Sequence, residues 1–248
     1  MEHLKQTLLK LLNIQGESGC EENVAVYVTN YLTDHHFTVF RDDYGNVLAE
    51  RQYGAWEGGP TLLLSAHMDT VLPFVHGRQV IWDGDILRSS QGILGADDRA
   101  GIAILLEVIR QIESLPYNGK LKLAFTREEE IGRVGSNAIP AQWLVDVDMA
   151  IVADRRNRRD IVTSCRYMSF CTEEVGAYWE RMGERIGQPD WQCCQGGISD
   201  AVTYAEHGIA SINVSCGYQN EHTDLEELHW PTVMDAAHLI KEGILNWR

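Results

Sequence analysis

No apolar run in this 248-residue chain approaches the roughly 18 residues that a membrane span requires, so no membrane partner is expected. The opening Met1-Glu2-His3-Leu4-Lys5 leads straight into a helical pattern, without the apolar core of a secretory leader. Cysteine is sparse. Six cannot staple a disulfide scaffold of this length, and the vicinal pair Cys193-Cys194 reads as two buried thiols. A reducing, cytoplasmic setting is the expectation. Basic residues are outnumbered, 21 against 36 acidic, and the net charge of −15 repels nucleic acid and anionic lipid alike. Internal repeats, low-complexity tracts and linkers are also missing. With 44% apolar and 23% charged residues, residues 1–248 read as one soluble α/β domain with a full core.

What the chain does have is Leu62-Leu63-Leu64-Ser65-Ala66 running into His67-Met68-Asp69-Thr70. The five residues show no alternation, so they read as a strand buried on both faces, as in a parallel sheet covered by helices. A histidine ending such a strand lies where open α/β sheets place their chemistry. Asp69, two residues on, can turn back to the imidazole and fix its tautomer.

The surrounding pattern supplies the rest of an α/β fold. Leu4, Leu8, Leu9, Leu11 and Leu12 mark an amphipathic helix ending near Asn13, and Val24, Val28, Tyr31 and Leu32 mark a second to about Asp34. Short strands are expected at Phe37–Phe40 and Asn46–Ala49, and another at Val80–Trp82 closed by Asp83-Gly84-Asp85. A strong helix follows from about Arg99 to Ile112, then strands at Leu121–Phe125, Met149–Ala153 and Ala210–Val214. Helices are expected near 172–186 and 200–206, with a last one opened by Pro231.

Acids and histidines fall at the ends of these elements: Glu128-Glu129-Glu130 and Asp154 where strands end, His222 in the loop after the last strand, and Asp97-Asp98 just before the helix from about Arg99. Taken singly, each has an ordinary explanation, as a helix cap, a solvated acidic loop, an ion pair or a surface histidine. Together they converge, because a doubly wound sheet brings the carboxyl ends of its strands to one rim. Two imidazoles and several carboxylates there make a divalent-metal site, and mixed nitrogen and oxygen donors suit zinc, with cobalt or manganese as alternatives. Two adjacent metals need one bridging carboxylate and a free one nearby to handle protons.

Five ordered segments now carry a resemblance: His67-Met68-Asp69-Thr70, Gly95-Ala96-Asp97-Asp98-Arg99-Ala100-Gly101, Glu129-Glu130-Ile131-Gly132, Asp154, and His222 with Glu226 after it. They resemble, in order, the motifs of the co-catalytic zinc exopeptidases, which include peptidase T, aminoacylase, glutamate carboxypeptidase and glutamyl-type aminopeptidases. Gly196-Gly197-Ile198-Ser199-Asp200-Ala201 is similar to the segment preceding the last histidine in that family. The resemblance implies a single three-layer α/β domain whose mixed, mostly parallel sheet carries helices on both faces. It also implies two Zn2+ per chain. Asp97 would bridge them, His67 and Asp154 would complete one, and Glu130 and His222 the other. Glu129 would be the general base toward a metal-bridging water, Asp69 would orient His67, and the Asp97–Asp98 peptide bond would be cis.

The chain departs from that family in places. Only residues 155–195 separate Asp154 from the Gly-Gly-x-Ser-Asp segment, room for a strand or two and one helix, so the lid or dimerisation domain of peptidase T is expected to be missing. Arg99 replaces the usual lysine, Glu128 the usual aspartate, and Arg127 stands where proline is common. The run Arg155-Arg156-Asn157-Arg158-Arg159 reads first as a solvated, salt-bridged loop, with a substrate carboxylate or a neighbouring subunit as its other uses. The expected activity is aminopeptidase action on short peptides. Removal of an acyl group from an N-acyl amino acid or other small amide, or carboxypeptidase or dipeptidase action, is the alternative with the same chemistry. A binding protein that has lost catalysis is a third reading, opposed by the intact Glu129 and ligand positions. A homo-oligomer is compatible with all three.

Overall fold

The computed structural model describes residues 2–248. The chain forms α1 (Glu2–Leu11), α2 (Glu22–Asp34), β1 (Thr38–Arg41), β2 (Val47–Tyr53), β3 (Thr61–His67), β4 (Val80–Asp83), β5 (Ile86–Ser89), α3 (Ala96–Ile112) and β6 (Gly119–Thr126). Then come α4 (Val134–Ala138), α5 (Ala141–Leu144), β7 (Met149–Arg155), β8 (Asp160–Ser164), α6 (Glu173–Arg185) and β9 (Gln192–Gln195). The last elements are α7 (Asp200–Glu206), β10 (Ala210–Ser215), β11 (Tyr218–Gln219), β12 (Glu227–His229) and α8 (Trp230–Asn246).

Eight strands make one sheet in the order β1-β2-β6-β3-β7-β10-β8-β9. The central four, β6, β3, β7 and β10, run parallel, and β1 and β2 add antiparallel on one side. On the other side β8 is antiparallel to β10 and parallel to β9. Residues 155–195 therefore fold into two strands of this sheet and the helix between them. A separate antiparallel sheet, β11-β12-β5-β4, lies near the carboxyl edge of the first through the His222 loop.

Both faces of the large sheet are dry. Leu62, Leu64 and Ala66 of β3, Leu121, Leu123 and Phe125 of β6, and Met149, Ile151 and Ala153 of β7 point into one core with α1, α2, α3 and α8. The alternate residues Leu63, Ala124, Ala150 and Val152 point into a second core with Tyr204 and Leu144. This period of two explains why the strands read as unbroken apolar runs. Each fully buried leucine contributes roughly 1.5–3 kcal/mol. α3 packs directly on β7, and Gly101 permits the approach, since a Cβ there would lie 1.8 Å from the Ala153 carbonyl oxygen. α8 turns Val233, Ala237, Ile240 and Ile244 inward, as its spacing predicts.

The structure corrects the sequence reading at several edges. The turn at Asp83-Gly84-Asp85 does not close the strand before it but reverses into β5, whose one buried side chain, Leu87, left little pattern to read. The short β8, β9, β11 and β12 were likewise unplaced. Cys193 and Cys194 are free thiols with partial exposure, not buried ones. Among the described residues no helix is long and apolar enough to cross a membrane.

Candidate metal centre

The register of the parallel strands sets the site. His67 ends β3 opposite Thr126 of β6, and β7 beside them ends at Asp154 and Arg155. The carboxyl ends of three strands thus share one edge. Before α3, Asp97 and Asp98 have non-helical φ/ψ, and the peptide bond between them is cis. That turn carries Asp97 over the strand ends, while Asp98 points back beneath, its Oδ2 accepting the His67 backbone N–H at 3.2 Å.

Asp97 lies between the two histidines. Its Oδ1 is 3.0 Å from His67 Nε2 and its Oδ2 is 3.2 Å from His222 Nε2. Asp154 Oδ1 is 3.5 Å from the same His67 nitrogen, and Glu130 Oε1 is 2.8 Å from that of His222. Two groups of potential metal donors result, His67 with Asp97 and Asp154, and Asp97 with Glu130 and His222. Each keeps its donor atoms within 4.8 Å of one another. Glu129 lines the same cavity, of about 140 Å³, without belonging to either group.

Neighbours hold each piece in place. Asp69 Oδ1 is 3.2 Å from His67 Nδ1 and accepts the backbone N–H of Glu129 at 3.0 Å. Its Oδ2 accepts from the Glu130 N–H at 3.2 Å and from the Ser18 hydroxyl at 2.7 Å. The buried Glu21 accepts from the N–H of Glu128 and of Gly19 and from Arg127 Nε, tying the acidic turn to the loop before α2. Glu226 accepts the backbone N–H of Gly95 at 2.7 Å and of Asp97 at 3.1 Å. The Tyr218 hydroxyl donates to Asp154 Oδ1 at 2.9 Å. Arg99, fully buried, donates to the carbonyls of Met68 and Gly16.

All seven site residues named from the sequence, His67, Asp69, Asp97, Glu129, Glu130, Asp154 and His222, are brought together. Ser18, Glu21, Asn213 and Tyr218 were missed, because each belongs to a different element and carries no local motif. Asn213 braces β7 from β10, its Oδ1 accepting the Asp154 N–H at 2.9 Å. Asp200 lies behind the site, its Oδ2 accepting from the Thr126 hydroxyl at 2.6 Å.

Electrostatics shows what the cluster fits. Burial, and then the charge of Asp154, pushes the Glu129 carboxyl up to about 10. Burial also lifts Asp154 to about 7, though its contact with His67 opposes this. Burial disfavours a charged His67, but Asp154, Asp69 and Asp97 outweigh it and hold the imidazole well above its ordinary value. Contacts with the carboxylates of Asp97 and Glu130 raise His222 to about 10. Asp69 stays at about 2, because its contacts with His67, Ser18 and the Glu129 N–H outweigh burial. Carboxylates this crowded call for more positive charge than two imidazoles provide. Glu130 Oε1 is buried without a hydrogen bond, despite its closeness to His222. The donor set of two imidazoles and three carboxylates therefore fits divalent cations of the zinc, cobalt or manganese type.

Comparison with known proteins agrees with this geometry. The cytosol non-specific dipeptidase of Escherichia coli K12 is 29% identical over 166 residues, 63% of this chain and 34% of that protein. The chain spans about a third of the length of the curated relatives it matches. Among solved structures, aminopeptidase PepT from Bacillus cereus ATCC 10987 superposes with a TM-score of 0.86 at 20% identity, covering 98% of this chain and 97% of that one. The TET1 peptidase of Pyrococcus horikoshii, described as assembling into a tetrahedron or a large octahedral shell, gives 0.73 at 16% identity, covering 98% and 70%. These two likenesses establish the fold. The sequence profile described as "Peptidase family M28" matches residues 46–245, and the chain belongs to that family.

Proposed function

We propose that this chain is a metal-dependent exopeptidase, acting as an aminopeptidase on short peptides. The observation that carries the reading is Asp97, whose two carboxylate oxygens face His67 on one side and His222 on the other. His67, Asp97 and Asp154 would hold one cation, and Asp97, Glu130 and His222 the second. Two zinc ions are the reading that the donor set favours, with Co2+ or Mn2+ as substitutes. Bound there, such cations would acidify water and polarise an amide carbonyl.

The chain's own residues do the remaining work. Glu129 lines the cavity without belonging to either donor group, which suits a proton carrier. With the charge of the bound cations favouring its ionised form, its carboxylate would take a proton from the attacking water and return it to the leaving amine. Asp69 serves as a positioning residue. It orients His67 and, through two backbone N–H groups, sets where the Glu129 and Glu130 side chains start. Names given to relatives, among them dipeptidase, peptidase T and aminopeptidase, support a peptide substrate.

Residues 1–248 act as one catalytic unit in this reading, since 155–195 pack into the main sheet as β8, α6 and β9. Six free cysteines favour a reducing, cytoplasmic compartment. A homo-oligomer is supported by the assembly described for the TET1 peptidase. The test is release of amino acids from peptide nitroanilides by zinc-loaded protein. Hydrolysis that depends on zinc and on Glu129 is expected, and full loading with no amide hydrolysis would refute it.

A further inference from the structure

The run Arg155-Arg156-Asn157-Arg158-Arg159 does not behave as one surface patch. Arg159 pairs with Asp190 and Asp235, 2.7 and 2.9 Å away. Arg155 is mostly covered and holds Asp160 at 3.0 Å. Arg156 differs: its side chain is 54% exposed, and the partner it has is Glu221, 3.0 Å away. Arg155 and Arg156 are the guanidinium-bearing residues that line the metal-centre cavity.

The backbone under Arg156 is fixed. Its carbonyl accepts from the hydroxyl of the buried Ser215, and the next N–H, of Asn157, donates to the Tyr218 carbonyl at 2.9 Å. The Tyr218 hydroxyl in turn donates to Asp154. Arg156 is thereby held in register with the metal-donor residues, two positions beyond Asp154 and beside the His222 loop. Its guanidinium reaches Glu221, the residue before His222, and lines the same cavity as Asp97, Asp154 and Glu129. Arg156 is the exposed half of its pair with the mostly covered Glu221, so its guanidinium can present free N–H groups to a second carboxylate, which a guanidinium fork suits.

We propose that Arg156 binds the carboxylate of the leaving amino acid, so that the preferred substrates carry a free α-carboxylate just past the scissile bond. This rests on the peptidase reading above, and it names a substrate class within it: dipeptides and very short peptides in their free-acid form. The same contact would serve an N-acyl amino acid. Ile198, which is 55% exposed and lines the same cavity, offers an apolar wall for the neighbouring side chain.

The experiment compares zinc-loaded wild type, R156K and R156Q on a dipeptide, on its C-terminal amide, and on versions with Glu or Gln as the first residue. Wild type should favour the free acid over the amide by about tenfold or more, chiefly through KM. R156Q should erase that preference while leaving amide hydrolysis nearly unchanged, and R156K should keep part of it. Equal use of acid and amide by wild type, or a preference that survives in R156Q, overturns the proposal. A preference that follows Glu against Gln in the first residue overturns it too, by moving the contact to a side chain. Calorimetric binding of acid and amide to the zinc-loaded Glu129→Gln variant needs no turnover. Selective binding through Arg156 with no cleavage in the wild type would refute the peptidase reading, and with it the leaving-group role, leaving only the Arg156–carboxylate contact. Cleavage of acid and amide alike would sustain the peptidase reading and overturn this proposal.

Discussion

Asp69 and Glu129 are joined by a 3.0 Å hydrogen bond from the Glu129 backbone N–H to the same carboxylate oxygen that faces His67 Nδ1. One buried side chain thus links a metal-donor histidine to the proposed base and, through its other oxygen, to Glu130. An amide in its place keeps the shape but loses an acceptor. Asp69→Asn should therefore weaken zinc affinity about 10- to 100-fold, measured by competition with a chelator. Unchanged affinity would mean that Asp69 does not position the donors.

Glu129→Gln separates binding from chemistry. Because Glu129 belongs to neither donor group, zinc affinity should stay within about threefold of wild type while turnover falls by roughly 10²- to 10⁴-fold. Loss of zinc together with activity would make Glu129 a ligand instead.

Glu226 reaches from the His222 loop to the turn that presents Asp97. Glu226→Gln replaces one acceptor oxygen with a donor facing a backbone N–H. The buried N–H left unpaired should cost about 1–3 kcal/mol in denaturant unfolding and weaken metal binding as well. Stability equal to wild type would show that the turn holds itself.

Gly101→Ala tests the packing of α3 on β7. The added Cβ would meet the Ala153 carbonyl oxygen at 1.8 Å and Asp98 Oδ1 at 2.4 Å, and neither can swing aside. A loss of about 3 kcal/mol or more is expected in thermal or denaturant unfolding.

Glu107 gives the fold an acid-sensitive element away from the site. Its carboxyl is covered, yet Arg110 and Gln111 outweigh burial and hold it at about 2, below its ordinary 4.5. The folded value lies below the unfolded one, so the stabilisation is complete above about pH 4.5 and is lost as pH falls toward about 2. It amounts to about 3 kcal/mol at neutral pH. Glu107→Gln should lower stability by up to that amount at pH 7, with the gap to wild type closing in acid. A gap independent of pH would contradict this.

Much of the fold was legible because burial on both faces writes itself into sequence as unbroken apolar runs, as in β3 and β7, and as helical spacing in α8. The second sheet was not. β5, β11 and β12 bury one residue each, Leu87, Tyr218 and Leu228, and a single buried position defines no period. The donors were legible because Glu130, Asp154 and His222 follow or end a readable strand and Asp97 opens a readable helix. Their supports were not: Ser18 sits in a loop and Tyr218 just before a turn, and what gives them a role is contact across distant parts of the chain. The arginine run shows the same limit, since charge pattern alone could not tell that Arg155 and Arg156 line the cavity while Arg159 pairs with Asp190 and Asp235.

The account depends most on Asp97 standing between two cations. Anomalous diffraction from crystals grown with zinc tests this directly. Two peaks are predicted, one beside His67 and Asp154 and one beside Glu130 and His222, with the Asp97 carboxylate between them. A lone peak away from Asp97, or no peak at the site under saturating zinc, would contradict it.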